Sequence, residues 1–432
     1  MAREMKDSGI EWIGKIPIEW EAKKNKSLFY EVNERCENGK EHTLLAVSEY
    51  YGIAPRSEKI QEGEYETRAT TLDGYKICKC GDIVMNIMLA WKRSTARSGY
   101  DGIVSPAYCV FRKRSSDVDT KFFHYLFRTH ICADMFKRYS TGIIDSRLRL
   151  YPDVFMQLYS IVPPISEQHR IADFLDRKCA EIDRVLEKTR ASIEEYKKLK
   201  QSVITQAVTK GIRGEREMKD SGIEWIGEIP AEWKISRIKY VSSFEPPCDT
   251  SRLSPDSVIT YTPMEYIKNG YYVPNTATLS SLSTSLTSYQ SGDIVMAKVT
   301  PCFENGNISI MNNLSSDFGL GSSELFVFRA KSIHTPFLFY WLRNNRFVQT
   351  ACSTMTGTGG LKRVSSLFVK DSSLAVPPES EQIEIANYLD KKCSEIDTLI
   401  SKKEQFITEL ESYKKSLIYE YVTGKKEAMN DL

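Results

Sequence analysis

Long apolar runs are what this 432-residue chain most clearly lacks. The longest, Phe337 to Leu342, is far too short for a bilayer, which takes about 20 apolar residues. Residues Met1 to Asp7 are charged and carry no apolar stretch of the kind a secretory signal needs, so a cytoplasmic protein is expected. A CxxC pair is also missing. The ten cysteines are scattered, and the nearest neighbours, Cys78 and Cys80, point to opposite faces if they lie on a strand. In a reducing compartment they read as small buried hydrophobes, with neither disulfides nor zinc expected. Net charge is scarce too, at +2, so the chain as a whole does not announce a nucleic-acid partner.

Catalytic signatures are absent as well. The chain has no phosphate-binding loop of the GxxxxGK[ST] form, no HExxH and no NPP-aromatic methylation motif, for Glu245-Pro246-Pro247-Cys248 begins with the wrong residue. The glycine cluster from Thr356 to Gly360 lacks the strand and spacing of a dinucleotide site. The five histidines, His42, His124, His130, His169 and His334, share no spacing with acids or cysteines and read as structural or surface residues. No metal ligands are expected.

What is present is a duplication. Residues 4 to 20, EMKDSGIEWIGKIPIEW, return at 217 to 233 with fifteen identities in seventeen. A second block, beginning VPPISEQHRIADFLD at Val162, returns as VPPESEQIEIANYLD at Val376. The chain is one unit of about 214 residues written twice.

Each VPPxSEQ block reads as a helix start, with Ser166 and Ser380 as N-caps and Glu167 and Glu381 at the positive end of the dipole. Gly211 and Gly424 mark the stops. Each helix exceeds forty residues, roughly 65 Å at about 1.5 Å per residue. The 4-3 series from Leu175 to Ala207 and from Leu389 to Tyr421 are each apolar at eight of ten positions, a seam that predicts antiparallel packing of one helix on the other.

Between these blocks, residues 28 to 161 and 241 to 375 diverge but keep echoes. GDIVM recurs at 81 to 85 and 292 to 296, and VFR at 110 to 112 and 327 to 329. Short β-rich runs with helical stretches near 120 to 138 and 335 to 349 predict an α+β fold carrying different surfaces, with the Ser/Thr tract from Thr278 to Ser288 as a loop. Charge concentrates here: residues 86 to 149 hold twelve Lys/Arg against five Asp/Glu, and residues 321 to 370 seven against one. That is the electrostatic footprint of phosphate binding. In the first region Asn86, Trp91, Lys92, Arg93, Ser94 and Arg97 follow the GDIVM run, with Arg147 and Arg149 shortly before the next proline stop. In the second, Lys298, Thr300, Asn305 and Asn307 hold the matching place, with Lys362 and Arg363 before the stop. These types bond phosphates and base edges, and a merely solvated surface is the competing reading for any one of them.

The doubled KDSGIEWIGxIPxxW and PPxSEQxxIAxxLD motifs resemble the repeated regions of type I restriction-modification specificity subunits, in the same order and over the whole chain. The resemblance implies two mixed α/β target-recognition domains, residues 1–163 and 212–377, in a tandem pseudo-two-fold repeat. They would be separated by two long antiparallel coiled-coil helices, 164–211 and 378–427. It implies binding of double-stranded DNA at a split asymmetric site, together with two modification subunits and ATP-dependent restriction subunits. S-adenosylmethionine, ATP and Mg would belong to those partners, with no catalytic residue and no cofactor on this chain. Trp12, Trp20, Trp225 and Trp233, in the duplicated block, are candidates for binding one partner type twice, with core packing as the alternative for them. An orphan or inactive copy and a protein-binding coiled-coil scaffold are the other readings.

Overall fold

A computed structural model describes residues 3–58, 71–144, 147–248, 254–283, 285–357 and 361–428. The chain divides into two compact units, one formed by 1–189 with 405–432 and the other by 190–404. Part of the glycine cluster at 356–360 lies outside the described residues.

The first unit is built on an antiparallel sheet of four strands, in the order Phe29–Val32, Tyr108–Lys113, Ile83–Asn86 and Thr95–Arg97. Alternation along a strand sends neighbouring side chains to opposite faces. Ile83 and Met85 accordingly meet a helical core with Phe122, Phe123, Phe127 and Phe155, whereas Val84 packs on the other face with Leu45 and Val104. With both faces covered, the strand reads as continuous apolar sequence rather than alternating. The second unit repeats the sheet as Ser242–Phe244, Leu325–Ala330, Ile294–Ala297 and Ile308–Ile310.

The GDIVM and VFR echoes are two halves of one contact. Asp82 is almost wholly buried and accepts two hydrogen bonds of 2.9 Å from the Arg112 guanidinium on the adjacent strand. Asp293 and Arg329 repeat it at 2.8 Å. Each carboxylate also accepts from a backbone N–H three residues earlier, Lys79 and Gln290, closing the turn that starts the strand. The bidentate pairing raises the pKa of both arginines.

The repeated blocks bracket each unit. The strand Glu21–Lys24 pairs antiparallel with Tyr159–Val162, and Lys234–Arg237 with Ser373–Val376. Each helical stretch expected from sequence is a pair of helices: Thr120–Phe127 and His130–Arg138 are split at the N-cap Thr129, and Thr335–Leu342 and Asn345–Ser353 at the N-cap Asn344. The Ser/Thr tract expected as a loop is more ordered than that. It contributes to the strands Thr276–Thr278 and Thr287–Gln290, with Thr284 outside the described residues.

The long helices run Ile165–Lys210 and Glu379–Val422. Ser166 and Ser380 lie inside their first turns and are not the N-caps expected; Pro164 and Pro378 carbonyls accept the first helical N–H groups. Glu167 does more than favour a dipole. It is buried, accepts from the Trp20 indole at 2.8 Å, and takes a bidentate pair from Arg3 at 2.6 and 2.8 Å. Glu381 likewise accepts from the Trp233 indole at 3.0 Å and from Arg216 at 2.7 Å, here through one hydrogen bond, the other Arg216 terminal nitrogen donating to the Lys210 carbonyl. Gln168 and Gln382 span from a proline carbonyl at the helix start to a backbone N–H of the domain, at Asp119 and His334.

The predicted seam positions are all buried or half-buried. In the first unit Phe174 packs against Tyr421 with ring centroids 4.4 Å apart and Asp183 pairs with Lys414 at 2.6 Å, so the two segments run antiparallel. In the second, Lys200 pairs with Asp397 at 2.6 Å and Arg213 with Glu384 at 2.9 Å, again in opposite directions. Two lysines inside the seam, Lys200 and Lys414, are thus matched to aspartates on the facing helix, and a third, Lys403, lies over the Tyr196 ring at 5.6 Å. No helix among the described residues is long and apolar enough to cross a membrane.

Candidate nucleic-acid interface

The candidate segments that follow the GDIVM run occupy the same place in each unit, the connection between the third and fourth strands of the sheet. In the first unit this is the loop 87–94. Asn86 starts it by accepting from Met88 N at 3.1 Å, and the Asn86 N–H closes it onto the Ser94 carbonyl at 2.9 Å. Trp91 donates its indole N–H to the Met88 carbonyl, and the Lys92 and Lys137 ammonium groups each sit 5.1 Å from its ring. Arg93 takes a left-handed conformation, φ 64°, at the end of the 3-10 turn Ala90–Lys92. A neighbouring hairpin, in which Thr141 and Arg149 exchange backbone hydrogen bonds of 2.9 and 3.0 Å, brings Arg147 and Arg149 alongside. Leu150 N–H donates to the Ile87 carbonyl and ties hairpin to loop.

In the second unit the loop 298–307 does the same with different residues. Thr356 and Arg363 form the equivalent hairpin, and Val364 N–H donates to the Lys298 carbonyl. Thr300 N–H donates to the Lys362 carbonyl and its hydroxyl accepts from Lys362 N–H, both at 2.9 Å. Arg149 and Arg363 are therefore structural equivalents.

The structure sorts the candidates. Lys92, Arg147, Arg149, Asn305, Lys362 and Arg363 are exposed; Trp91, Arg93, Arg97, Lys298 and Asn307 are half-buried. Asn86, Ser94 and Thr300 are buried, and their hydrogen bonds shape the loops, so they are corrected from contact residues to loop-forming ones. Arg97 lies between the two classes, donating from Nε to the Thr120 hydroxyl. Arg363 makes a bidentate pair with Glu324 at 2.8 and 3.0 Å and holds that carboxyl below its usual range. An exposed pair of this kind is weak. Lys137 was missed: it reaches the Trp91 ring from another helix, a proximity that no sequence spacing encodes.

The tryptophans separate as well. Trp20 and Trp233 are wholly buried, bonded to Glu167 and Glu381, and are corrected from partner contacts to core. Trp12 and Trp225 are half-buried. What the duplicated block exposes identically in both units is polar: Lys6 and Lys219, Asp7 and Asp220, Glu11 and Glu224. Among the described residues no group of three His, Cys, Asp or Glu side chains could hold a metal ion.

Residues 230–409 match the family model for the type I restriction modification DNA specificity domain. The chain is 29% identical over 191 residues to the type I restriction enzyme EcoAI specificity subunit of Escherichia coli, covering 43% of this chain and 32% of that protein. It is 24% identical over 373 residues to the MjaVIII specificity subunit of Methanocaldococcus jannaschii, covering 81% of each. The match to the EcoAI and EcoEI subunits thus spans about a third of their length. By fold, it is similar to a chain solved in work on complex assembly and conformational transition of the type I R-M system, with a TM-score of 0.71 at 15% identity, covering 95% and 99% of the two chains. It is also similar to the HsdS subunit from Thermoanaerobacter tengcongensis, with a TM-score of 0.53 at 15% identity, covering 95% and 98%.

Proposed function

We propose that this chain, which belongs to the family of type I restriction-modification specificity subunits, is the non-catalytic DNA-recognition subunit of a type I restriction-modification complex, each of its units reading one half of a split asymmetric site. One observation carries the reading: a shared frame presents a different loop at the same strand connection in each unit, with a hairpin beside it that carries exposed cations, Arg147 and Arg149 in the first and Lys362 and Arg363 in the second. Lysine and arginine contacts to phosphate supply affinity and register, while base-edge contacts supply sequence. A fixed frame with changed loops is a way to change the sequence read without changing where the reader stands.

The remaining parts follow from the same logic. The long helices serve as a spacer that sets the gap between half-sites. The polar residues exposed identically in both units are a duplicated docking surface for two modification subunits, because folding alone does not require identity at exposed positions. S-adenosylmethionine, ATP and Mg, with methyl transfer and cleavage, lie with modification and restriction subunits rather than with this chain.

Replacing residues 241–375 by the corresponding segment of another specificity subunit tests the reading. Methylation-site sequencing in cells carrying the chimaera should find one half-sequence changed and the other half and the gap retained. A chimaera that alters both halves, or neither while still methylating, contradicts it.

A further inference from the structure

Arg128 and Arg343 occupy one place in two dissimilar sequences. Each ends the first helix of its pair, immediately before the N-cap of the next, Thr129 or Asn344. A cation at a helix C-terminus is ordinarily explained by the dipole and points to solvent. These two turn inward. Arg343 is 7% exposed, and burial pulls both guanidinium groups below their usual pKa, Arg128 to about 10 with help from the Arg93 charge. Burying a cation is costly unless its donors are satisfied. Neither has a carboxylate among the hydrogen-bond acceptors described for it.

The acceptors lie instead on loops far along the chain. Arg128 donates to the carbonyls of Ser48 at 3.1 Å and Glu49 at 2.7 Å, in the turn between strands Leu45–Ser48 and Gly52–Pro55. It also donates to the Arg93 carbonyl at 3.0 Å, so one guanidinium joins that turn to the charged loop 87–94. Arg343 donates to the Asn269 side-chain oxygen at 2.7 Å, and Asn269 donates in turn to the Asn305 carbonyl at 3.0 Å. The charged loop 298–307 is thereby joined to the turn 268–271. That turn passes so close that a Cβ at Gly270, φ 101°, would stand 3.2 Å from Arg343 Nη2. In both units the pinned turn carries an exposed tyrosine, Tyr50 at 85% and Tyr271 at 60%.

Resting on the DNA-recognition reading above, we infer that the turns tipped by Tyr50 and Tyr271 are a second DNA-contacting element in each unit, held in register with the charged loop by Arg128 and Arg343 as positioning residues. A tyrosine offers a flat apolar face and a hydroxyl, which suit a sugar or base edge beside a phosphate-bound cation. In the first unit the guanidinium fork, with its donors spread in one plane, holds two loops at once, and in the second it fixes Asn269, whose amide holds the charged loop; a lysine ammonium concentrates its donors at one point and lacks that span.

The test uses the full chain assembled with its modification subunits, on duplexes bearing the recognised site and on duplexes altered in one half at a time. Tyr50→Ala and Tyr271→Ala should each weaken binding to the intact site on the order of tenfold, the scale of one lost specific contact. Each should blunt discrimination at its own half-site only, with the salt slope and the unfolding midpoint unchanged. Arg128→Lys and Arg343→Lys, which keep the charge, should reproduce the loss of discrimination of the tyrosine variant in the same unit. Wild-type affinity and discrimination in both tyrosine variants, while Lys92→Ala or Lys362→Ala still weakens binding, overturn the inference and leave the DNA-recognition reading standing. An assembled wild-type complex that prefers no sequence overturns both.

Discussion

The two units of this chain agree where their buried polar contacts agree and part company elsewhere. Asp82–Arg112 and Asp293–Arg329 clamp equivalent strands around a buried carboxylate, and nearer the surface Tyr125 and Tyr340 donate to Asp176 and Asp390 at 2.7 Å on the long helices. Beyond this frame the first unit adds strand pairs, Leu45–Ser48 with Gly52–Pro55 and Lys76–Cys78 with Gly102–Val104. The second builds a four-stranded sheet there, including a parallel pairing of Val258–Thr262 with Phe318–Gly321. Buried carboxylates and indoles tolerate few substitutes, because each leaves an unsatisfied partner. Strands that only cover an apolar sheet face can be replaced by any others that cover it. The frame persists through a handful of demanding contacts, and the surface it carries is free to diverge.

The largest expected effect probes the shared part. Arg112→Ala leaves the buried Asp82 carboxylate without its guanidinium, and Arg329→Ala does the same to Asp293. Each should destabilise its unit by about 3–5 kcal/mol in denaturant unfolding. A cost below about 1 kcal/mol in either unit would show that the clamp is not what the two frames share.

A smaller effect should divide the units. His124 accepts from Arg97 N–H at 3.2 Å, and burial, then the charge of Arg128, depress its pKa to about 3, with Arg97 adding to this and Asp176 opposing it. Phe339 stands at the equivalent place in the second unit. A histidine kept neutral in the fold but free to protonate when unfolded gives stability that is complete above pH about 6.5 and is lost as pH falls towards the folded value. Between pH 6.5 and 5 the slope is at most about 1.4 kcal/mol per pH unit. His124→Gln should flatten that limb for the first unit and leave the second alone. Calorimetric transitions with the same acid dependence in variant and wild type would remove His124 as its source.

The smallest effect concerns the exposed lysines. Lys92→Ala and Lys362→Ala, one in each unit, should each lower the slope of log affinity against log salt by about 1 and weaken all sequences alike. A changed half-site preference with an unchanged slope would mean that the lysine meets a base rather than a phosphate.

Much of this architecture was legible in the residues. Seam positions from Leu175 and from Leu389 are buried or half-buried along both helices, because a 4-3 spacing is written in neighbours a turn apart. The GDIVM and VFR echoes marked paired strands, although the ion pair that joins them could not be read from their composition. The site was less legible. Among the residues chosen for polarity and position, Asn86, Ser94 and Thr300 are inside and Lys92, Arg147, Arg149 and Lys362 are outside. Polar types that bond DNA also bond the backbone, and sequence does not distinguish the two uses.

The duplication, the helix seams and the concentration of positive charge within 86–149 and 321–370 were settled by sequence alone, since repeats, periodicity and local composition are properties of adjacent residues. Which cations face solvent was decided by tertiary structure. Lys137 meets Trp91 from a separate helix, Thr300 binds Lys362 across 62 positions, and Arg128 reaches Ser48 across 80. Burial at such distances depends on partners that only the folded chain brings together, so the frame could be read from the string of residues and the working face of each unit could not.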